Sequence, residues 1–230
     1  MYNNKKILSI IPARGGSKGI FRKNIKSIAG KPLIAWSIIE GNKSQYTDKV
    51  VISSDDDEII QIAENYGGEA PFIRPKELAQ DDTPGVLTVI HAIKELPDFD
   101  YVVLLQPTSP LRNYSDIDQS IKFCIDNKAN SCVSVVEASK SPFLMLTINN
   151  ENRMIPLLKN GFILRRQEQS KVYMLNGAIF IAKTKWLMKT KNFIDKNTIA
   201  YIMPQERSID IDSEFDIKLC ELLFKENVNG

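Results

Sequence analysis

Short apolar runs rich in β-branched residues alternate with stretches of helical period along the first two thirds of the chain. "KILSIIP" is apolar without alternation, which predicts a strand covered on both faces, as in a parallel sheet. "PLIAWSIIEG" then predicts a helix with Pro32 in its first turn, and "KVVISSD" a second strand. "DDEIIQIAENYGG" reads as a helix closed by Gly67 and Gly68, and "APFIRP" as a short strand. Val86, Val89, Ile90 and Ile93 stripe the next helix; "YVVLLQP" is another buried strand, and Ile117, Ile121, Cys124 and Ile125 mark the helix that follows. "SCVSVVEA" closes the alternation, which predicts an α/β fold with a doubly wound, mostly parallel sheet and right-handed crossovers.

The texture changes near position 138. "FLMLTINNENRMIPLL" predicts two strands around a polar turn, and "YMLNGAIFIA" a further strand. We read about 138 to 175 as a β-rich excursion of a single domain spanning 1–230. A helix at "KTKWLMKT", a strand at "AYIMP" and a last helix from about Glu214 complete the chain.

Composition narrows the function classes. Of 230 residues 43% are hydrophobic and 25% charged, which suits a soluble globular protein, and a net charge of +2 argues against a general nucleic-acid binder. Three widely spaced cysteines, Cys124, Cys132 and Cys220, form no C-x-x-C pair. They read as reduced thiols of a cytoplasmic protein, without a disulfide framework or zinc site. The apolar stretch near the N-terminus is too short for a signal-peptide core or a membrane span.

The candidate chemistry falls where strands end. "IIPARGGSKGI" leaves the first strand and places Gly15, Gly16 and Gly19 beside Arg14 and Lys18, a pattern suited to holding a phosphate on backbone N–H groups. It matches neither a Walker A loop nor a dinucleotide fingerprint. In "SIDIDSEFD", Asp210 and Asp212 alternate with Ile209 and Ile211. On an extended backbone both carboxylates share a face, where a magnesium ion would relieve their repulsion; a helix cap by Ser213 or Asp212 explains the same residues equally well. The acids of "SSDDDE" fit a helix start better than a site. "LQPTSPLR" presents Gln106, Thr108 and Ser109 on a proline-stiffened loop suited to a polar ligand. His91, the lone histidine, sits in a helical stripe and gives little support to nucleophilic catalysis.

Taken in order, "IIPARGGSKGIFRKNI", "ISSDDDEI", "IRPKELAQDDT", "LLQPTSPLR", "LNGAIFIA" and "ERSIDIDSEFD" resemble the acylneuraminate cytidylyltransferases across essentially the whole chain. The resemblance implies a nucleotidyltransferase fold with a dimerisation arm. It also implies magnesium-dependent transfer of a cytidylyl group from cytidine triphosphate (CTP) to the anomeric hydroxyl of a nine-carbon 2-keto sugar acid. Carried over by residue, Arg14, Gly15, Gly16, Ser17, Lys18 and Lys23 would hold the triphosphate, with Arg14, Lys18, Lys23 and Asp212 acting in the reaction. Asn24, Arg74, Asp82 and Gln106 would surround the nucleotide, Gln106, Arg166, Asn176 and Phe180 the sugar, and Asp210 and Asp212 the metal. The partners implied are CTP, the sugar acid and a second copy of the chain.

Some positions depart from the sialic acid pattern. Phe143 and Leu144 stand where a lysine is usual, Met174 where an arginine is common, and "RRQEQ" resembles the legionaminic and pseudaminic acid branch. Fewer cations and more apolar surface suit a deoxygenated sugar tail. Two alternatives share the fold: a transferase acting on 3-deoxy-manno-octulosonate, and a non-catalytic nucleotide-sugar binding protein.

Overall fold

The computed structural model describes residues 1–16, 19–158 and 170–228. The chain opens with β1 (Ile7–Pro12), then a small hairpin, β2 (Ser27–Ile28) and β3 (Lys31–Pro32), which leads into α1 (Leu33–Lys43). β4 (Lys49–Ser53), α2 (Asp57–Glu64), α3 (Gly85–Glu95), β5 (Tyr101–Leu105), α4 (Tyr114–Asp126) and β6 (Ser131–Glu137) follow. A second hairpin, β7 (Leu146–Ile148) and β8 (Met154–Pro156), precedes β9 (Tyr173–Lys183), α5 (Thr184–Thr190), β10 (Ile199–Ile202) and α6 (Glu214–Val228).

Six strands form the main sheet in the order β10-β6-β9-β5-β1-β4. β9 runs antiparallel to both neighbours, β5 and β6, while the other pairings are parallel. The continuous apolar runs do lie in strands covered on both faces. Ile7 and Ile11 of β1, with Val103 and Leu105 of β5, pack beneath α1, α2 and α4. Leu8 and Ile10, with Val102 and Leu104, pack beneath α3 and α5. Each such side chain, fully removed from water, contributes about 2 kcal/mol. A third cluster, including Ile28, Leu33, Ile211 and Ile217, fixes α6 against the β2–β3 hairpin.

Two local differences from the sequence reading have clear causes. "APFIRP" forms no strand: Val51 makes an isolated bridge to Glu69, and the Arg74 amide donates to the Ser54 carbonyl at 2.8 Å. Pro71 and Pro75 lack the donors that a ladder needs. The β-α alternation is also interrupted, because β9 inserts between β5 and β6; an antiparallel strand needs no crossover helix to reach that slot.

β1 passes the chain toward β4 on one side, while its neighbour β5 passes it toward β6 on the other. Their carboxyl ends therefore flank the crevice in which doubly wound sheets bind ligands. At the opposite edge, Asp118 of α4 ties down the loop after α1: its carboxylate accepts the Ser44 hydroxyl at 2.5 Å and the amides of Gln45 and Tyr46 at 3.3 and 3.4 Å. Asp118→Ala strands the buried Ser44 hydroxyl and two partly buried amides and is expected to lower stability by about 2 kcal/mol in urea titrations while the cleft is untouched. A midpoint equal to that of the parent would contradict this account of the loop.

Candidate active site

A cleft of about 560 Å³ occupies that crevice. Pro12 and Arg14 line it from the end of β1, Gln106, Pro107 and Thr108 from the end of β5, and Leu78, Gln80, Asp81 and Thr83 from the loop ahead of α3. Lys23, Asn24, Arg74 and Asp212 complete its polar walls.

Each described cation of the cleft has a protein partner. Arg14 Nη1 lies 2.7 Å from Asp81 Oδ1 and donates to the Ala79 carbonyl at 3.3 Å. Lys23 Nζ donates to the Ile211 carbonyl at 2.7 Å and to Asp212 Oδ1 at 3.2 Å. Arg74 is buried, its Nη2 donating to the Ala13 carbonyl at 2.7 Å and to Asp55 Oδ1 at 3.2 Å. Burial lowers the pKa of the Arg74 guanidinium, and Asp55 opposes that shift. Asn24, also buried, donates to the Arg14 carbonyl at 3.1 Å and so braces the phosphate-loop candidate from below.

The acidic run before α6 divides its work. Ser213 caps the helix: Asp216 Oδ2 accepts the amides of Asp212 and Ser213 at 3.1 and 2.8 Å and the Ser213 hydroxyl at 2.7 Å. Desolvation works to raise the Asp216 pKa, but these bonds hold it below the ordinary carboxylate value. Ile209 and Ile211 pack into the third cluster, while Asp210 and Asp212 face outward. No strand forms there, yet the alternation persists. With the cap supplied by Ser213 and Asp216, Asp210 and Asp212 take no part in it: Asp212 receives Lys23 and Asp210 the Thr108 hydroxyl. Partial desolvation raises the Asp210 pKa and Asp212 raises it further, with the Thr108 hydroxyl and Lys23 opposing. Two crowded oxygen donors of like charge fit a hard cation such as magnesium. Among the described residues no group of three or more potential metal ligands occurs, so an ion there would take its remaining ligands from substrate and water.

A bulge in β9 brings the two sides together. Between Val133 and Val135 the β6–β9 register jumps from Phe180 to Leu175. Gly177, at φ 71°, lies within it, and a Cβ there would come 3.4 Å from Asp210 Oδ2 and 3.9 Å from Gln106 Oε1. Asn176 turns inward: its Oδ1 accepts the Ser134 hydroxyl at 2.6 Å and the Ala178 amide at 3.2 Å, and its Nδ2 donates to Ser208 Oγ at 2.9 Å. Phe180 packs 5.6 Å from the Phe193 ring in the second core cluster. Neither lines the cleft. Asp82 is exposed outside the cleft lining, whereas its neighbour Asp81 faces Arg14. Ser17, Lys18 and Arg166 lie outside the described residues.

Sequence reasoning missed Asp81, Gly177 and Arg112. Gly177 carried a signal, a glycine inside a strand pattern, but adjacent aspartates gave no basis for choosing 81 over 82. In "SSDDDE", Asp56 caps α2 by accepting the Ile59 amide at 3.1 Å, as a helix start requires, while Asp55 serves Arg74. His91 packs edge-on against Phe72 at 5.2 Å, away from the cleft lining.

The loop glycines are not equivalent. A Cβ on Gly15 would meet Asp56 Oδ2 at 2.3 Å, while one on Gly16 would meet nothing within 4 Å. Gly15→Ala must displace Asp56 from its cap and from Arg22, 3.2 Å away, and is expected to lower stability by about 1 kcal/mol. Gly16→Ala should melt with the parent protein, so a Gly16 requirement, where observed, belongs to ligand binding. Equal melting temperatures for the two variants would contradict the Asp56 contact.

A cytidylyltransferase family profile matches residues 8–211. The pseudaminic acid cytidylyltransferase of Campylobacter jejuni is 36% identical over 96% of this chain and 97% of its own length. The N-acylneuraminate cytidylyltransferase of Escherichia coli is 34% identical over 94% of this chain, which spans 51% of that longer protein. In three dimensions the chain resembles CMP:2-keto-3-deoxy-manno-octonic acid synthetase, solved in complex with CTP, with a TM-score of 0.76 at 16% identity, covering 96% of this chain and 99% of that one; this likeness speaks to fold alone. No helix among the described residues is long and apolar enough to cross a membrane. A profile match over most of the chain, joined by relatives above one-third identity, places this protein in the cytidylyltransferase family.

Proposed function

We propose that this protein transfers a cytidylyl group from CTP to the anomeric hydroxyl of a nine-carbon 2-keto sugar acid of the sialic, legionaminic or pseudaminic type. The observation that carries the reading is a cleft at the switch point with cations on one side and the Asp210–Asp212 pair beside it, in a chain of this family. The anomeric oxygen forms a bond to the α-phosphorus, the bond from that phosphorus to the bridging oxygen breaks, and pyrophosphate leaves. The anomeric proton passes to solvent or a nearby base.

In this scheme Arg14 and Lys23 stabilise charge that grows on the phosphates, with Lys18 assigned the same part from the family pattern. Arg14 must release Asp81 to do so, and Lys23 must release Asp212. Asp210 and Asp212 would hold magnesium, which when bound neutralises phosphate charge. Buried thiols at Cys124, Cys132 and Cys220, all free, fit a cytoplasmic protein.

A panel of nine-carbon acids incubated with CTP, with pyrophosphate release as readout, tests the reaction. Release that requires both substrates is expected, and equal turnover with ATP would overturn the cytidylyl assignment. Asp210→Asn should cut turnover about a hundredfold or more. The same change should raise the melting temperature near neutral pH. Because the folded pKa of Asp210 lies above its unfolded value, the charged side chain costs stability above the folded pKa. Below the ordinary carboxylate pKa both states are protonated, so the gain should vanish in acid. A variant that loses turnover and also melts lower at pH 7 would contradict the crowding argument.

We further propose that the β7–β8 hairpin is a dimerisation arm. Ile148 and Met154, paired across the hairpin, are each 66% exposed and Leu157 55%; Met174 and Leu175 of β9 are exposed as well. Exposed apolar side chains paired on a short hairpin call for a partner. Light scattering should report a dimer for the parent and a monomer for Ile148→Asp/Met154→Asp; a monomeric parent would remove the arm's role.

A further inference from the structure

Arg112 is fully buried, yet among the described residues no carboxylate lies within ion-pair distance of it. Its Nη1 donates to the carbonyls of Gln106 and Ala178 at 3.1 and 3.0 Å, and its Nη2 to the Ser37 hydroxyl at 2.6 Å. Ser37 in turn donates to the Gln106 carbonyl at 3.3 Å. One guanidinium thus joins the end of β5, the exit of the β9 bulge and the buried face of α1.

These are the pieces whose separation shapes the cleft. Gln106 lines it directly, and Ala178 follows Gly177, whose Cβ position lies 3.4 Å from Asp210 Oδ2 and 3.9 Å from Gln106 Oε1. We propose that Arg112 is a positioning residue for cytidylyl transfer, a buried clamp that holds the Gln106 loop and the Gly177 bulge at the spacing the reaction needs. The inference rests on the function proposed above.

An apolar side chain of similar length would fill the volume but take its donor from the Ala178 carbonyl and leave the Gln106 carbonyl to the longer bonds from Ser37 and Ser109. Lysine offers one nitrogen where arginine's planar fork serves three acceptors along fixed directions. The clamp also places a cation behind the cleft floor. Burial lowers its pKa to about 10, with Asp116 and Glu40 opposing from greater distance, so it remains charged at neutral pH.

The experiment compares Arg112→Lys and Arg112→Ala with Asp118→Ala, whose contacts lie at the opposite sheet edge. Melting, CTP affinity by calorimetry, and kcat and KM per folded molecule are measured for each. We expect Asp118→Ala to melt lower with kcat unchanged, whereas Arg112→Lys loses about a hundredfold in kcat even where it melts close to the parent. Arg112→Ala should lose more, with weaker CTP binding, and added guanidinium below denaturing concentration should restore part of the turnover. If Arg112→Ala does not fold, Arg112→Lys decides alone. Parental kcat and KM in folded Arg112→Lys would overturn the inference while leaving the proposed reaction standing. If the parent turns over no sugar acid, that reaction fails, and CTP affinity then reads the clamp: a parental value in Arg112→Lys overturns it.

Discussion

A left-handed glycine in the middle of the longest strand is the constraint on which the cleft depends. β9 must be continuous enough to join β5 to β6 and irregular enough to bring Gly177 close to both Asp210 and Gln106. Gly177 resolves the conflict, because it adopts φ 71° without the strain another residue would carry there. The inward turn of Asn176 follows from the same bulge. Its Oδ1 accepts the Ala178 amide, which the register jump takes out of the β6–β9 ladder.

Around that bulge the charges balance before any ligand arrives. Arg14 faces Asp81, Lys23 faces Asp212 and Arg74 faces Asp55. An incoming triphosphate therefore exchanges partners within a polarised cleft instead of meeting bare cations. The three pairs differ in depth. Arg74 is 4% exposed and its Ala13 and Asp55 bonds anchor β1 to the loop after β4, which suits a wall. Arg14 and Lys23 keep more exposure and have partners that can swing into solvent, which suits groups that must let go.

Most of the architecture was legible because buried parallel strands advertise themselves. Tyr101–Leu105 is apolar at every position and buried at every position, and Ile117, Ile121 and Cys124 do fall on one buried helix face. The sequence was silent on what depends on long-range pairing. Nothing in "YMLNGAIFIA" states that this strand runs antiparallel between two parallel neighbours, since period and composition carry no direction. The site was legible as residue types near strand ends, and the positions Arg14, Lys23, Asn24, Arg74, Gln106 and Asp212 do meet in one cleft. Asn176 and Phe180 read as cleft residues by family pattern alone, and the structure turns both side chains into the protein interior.

The distribution of local cost marks the same edge independently. Among the described residues, the buried side-chain polar atoms without partners belong to Arg22, Ser53, Arg74, His91, Ser109, Arg112 and Thr184. Ser53 ends β4, Ser109 and Arg112 follow β5, Arg74 donates to the Ala13 carbonyl just after β1, and Arg22 meets Asp56 just after β4. The opposite edge, where Asp118 satisfies the Ser44 hydroxyl and two amides, shows no such concentration. Unmet hydrogen bonds and crowded charge reduce stability, and a fold tolerates them where they serve binding. Their gathering at one edge of the sheet therefore argues for the cleft as the working site on energetic grounds, without appeal to any relative.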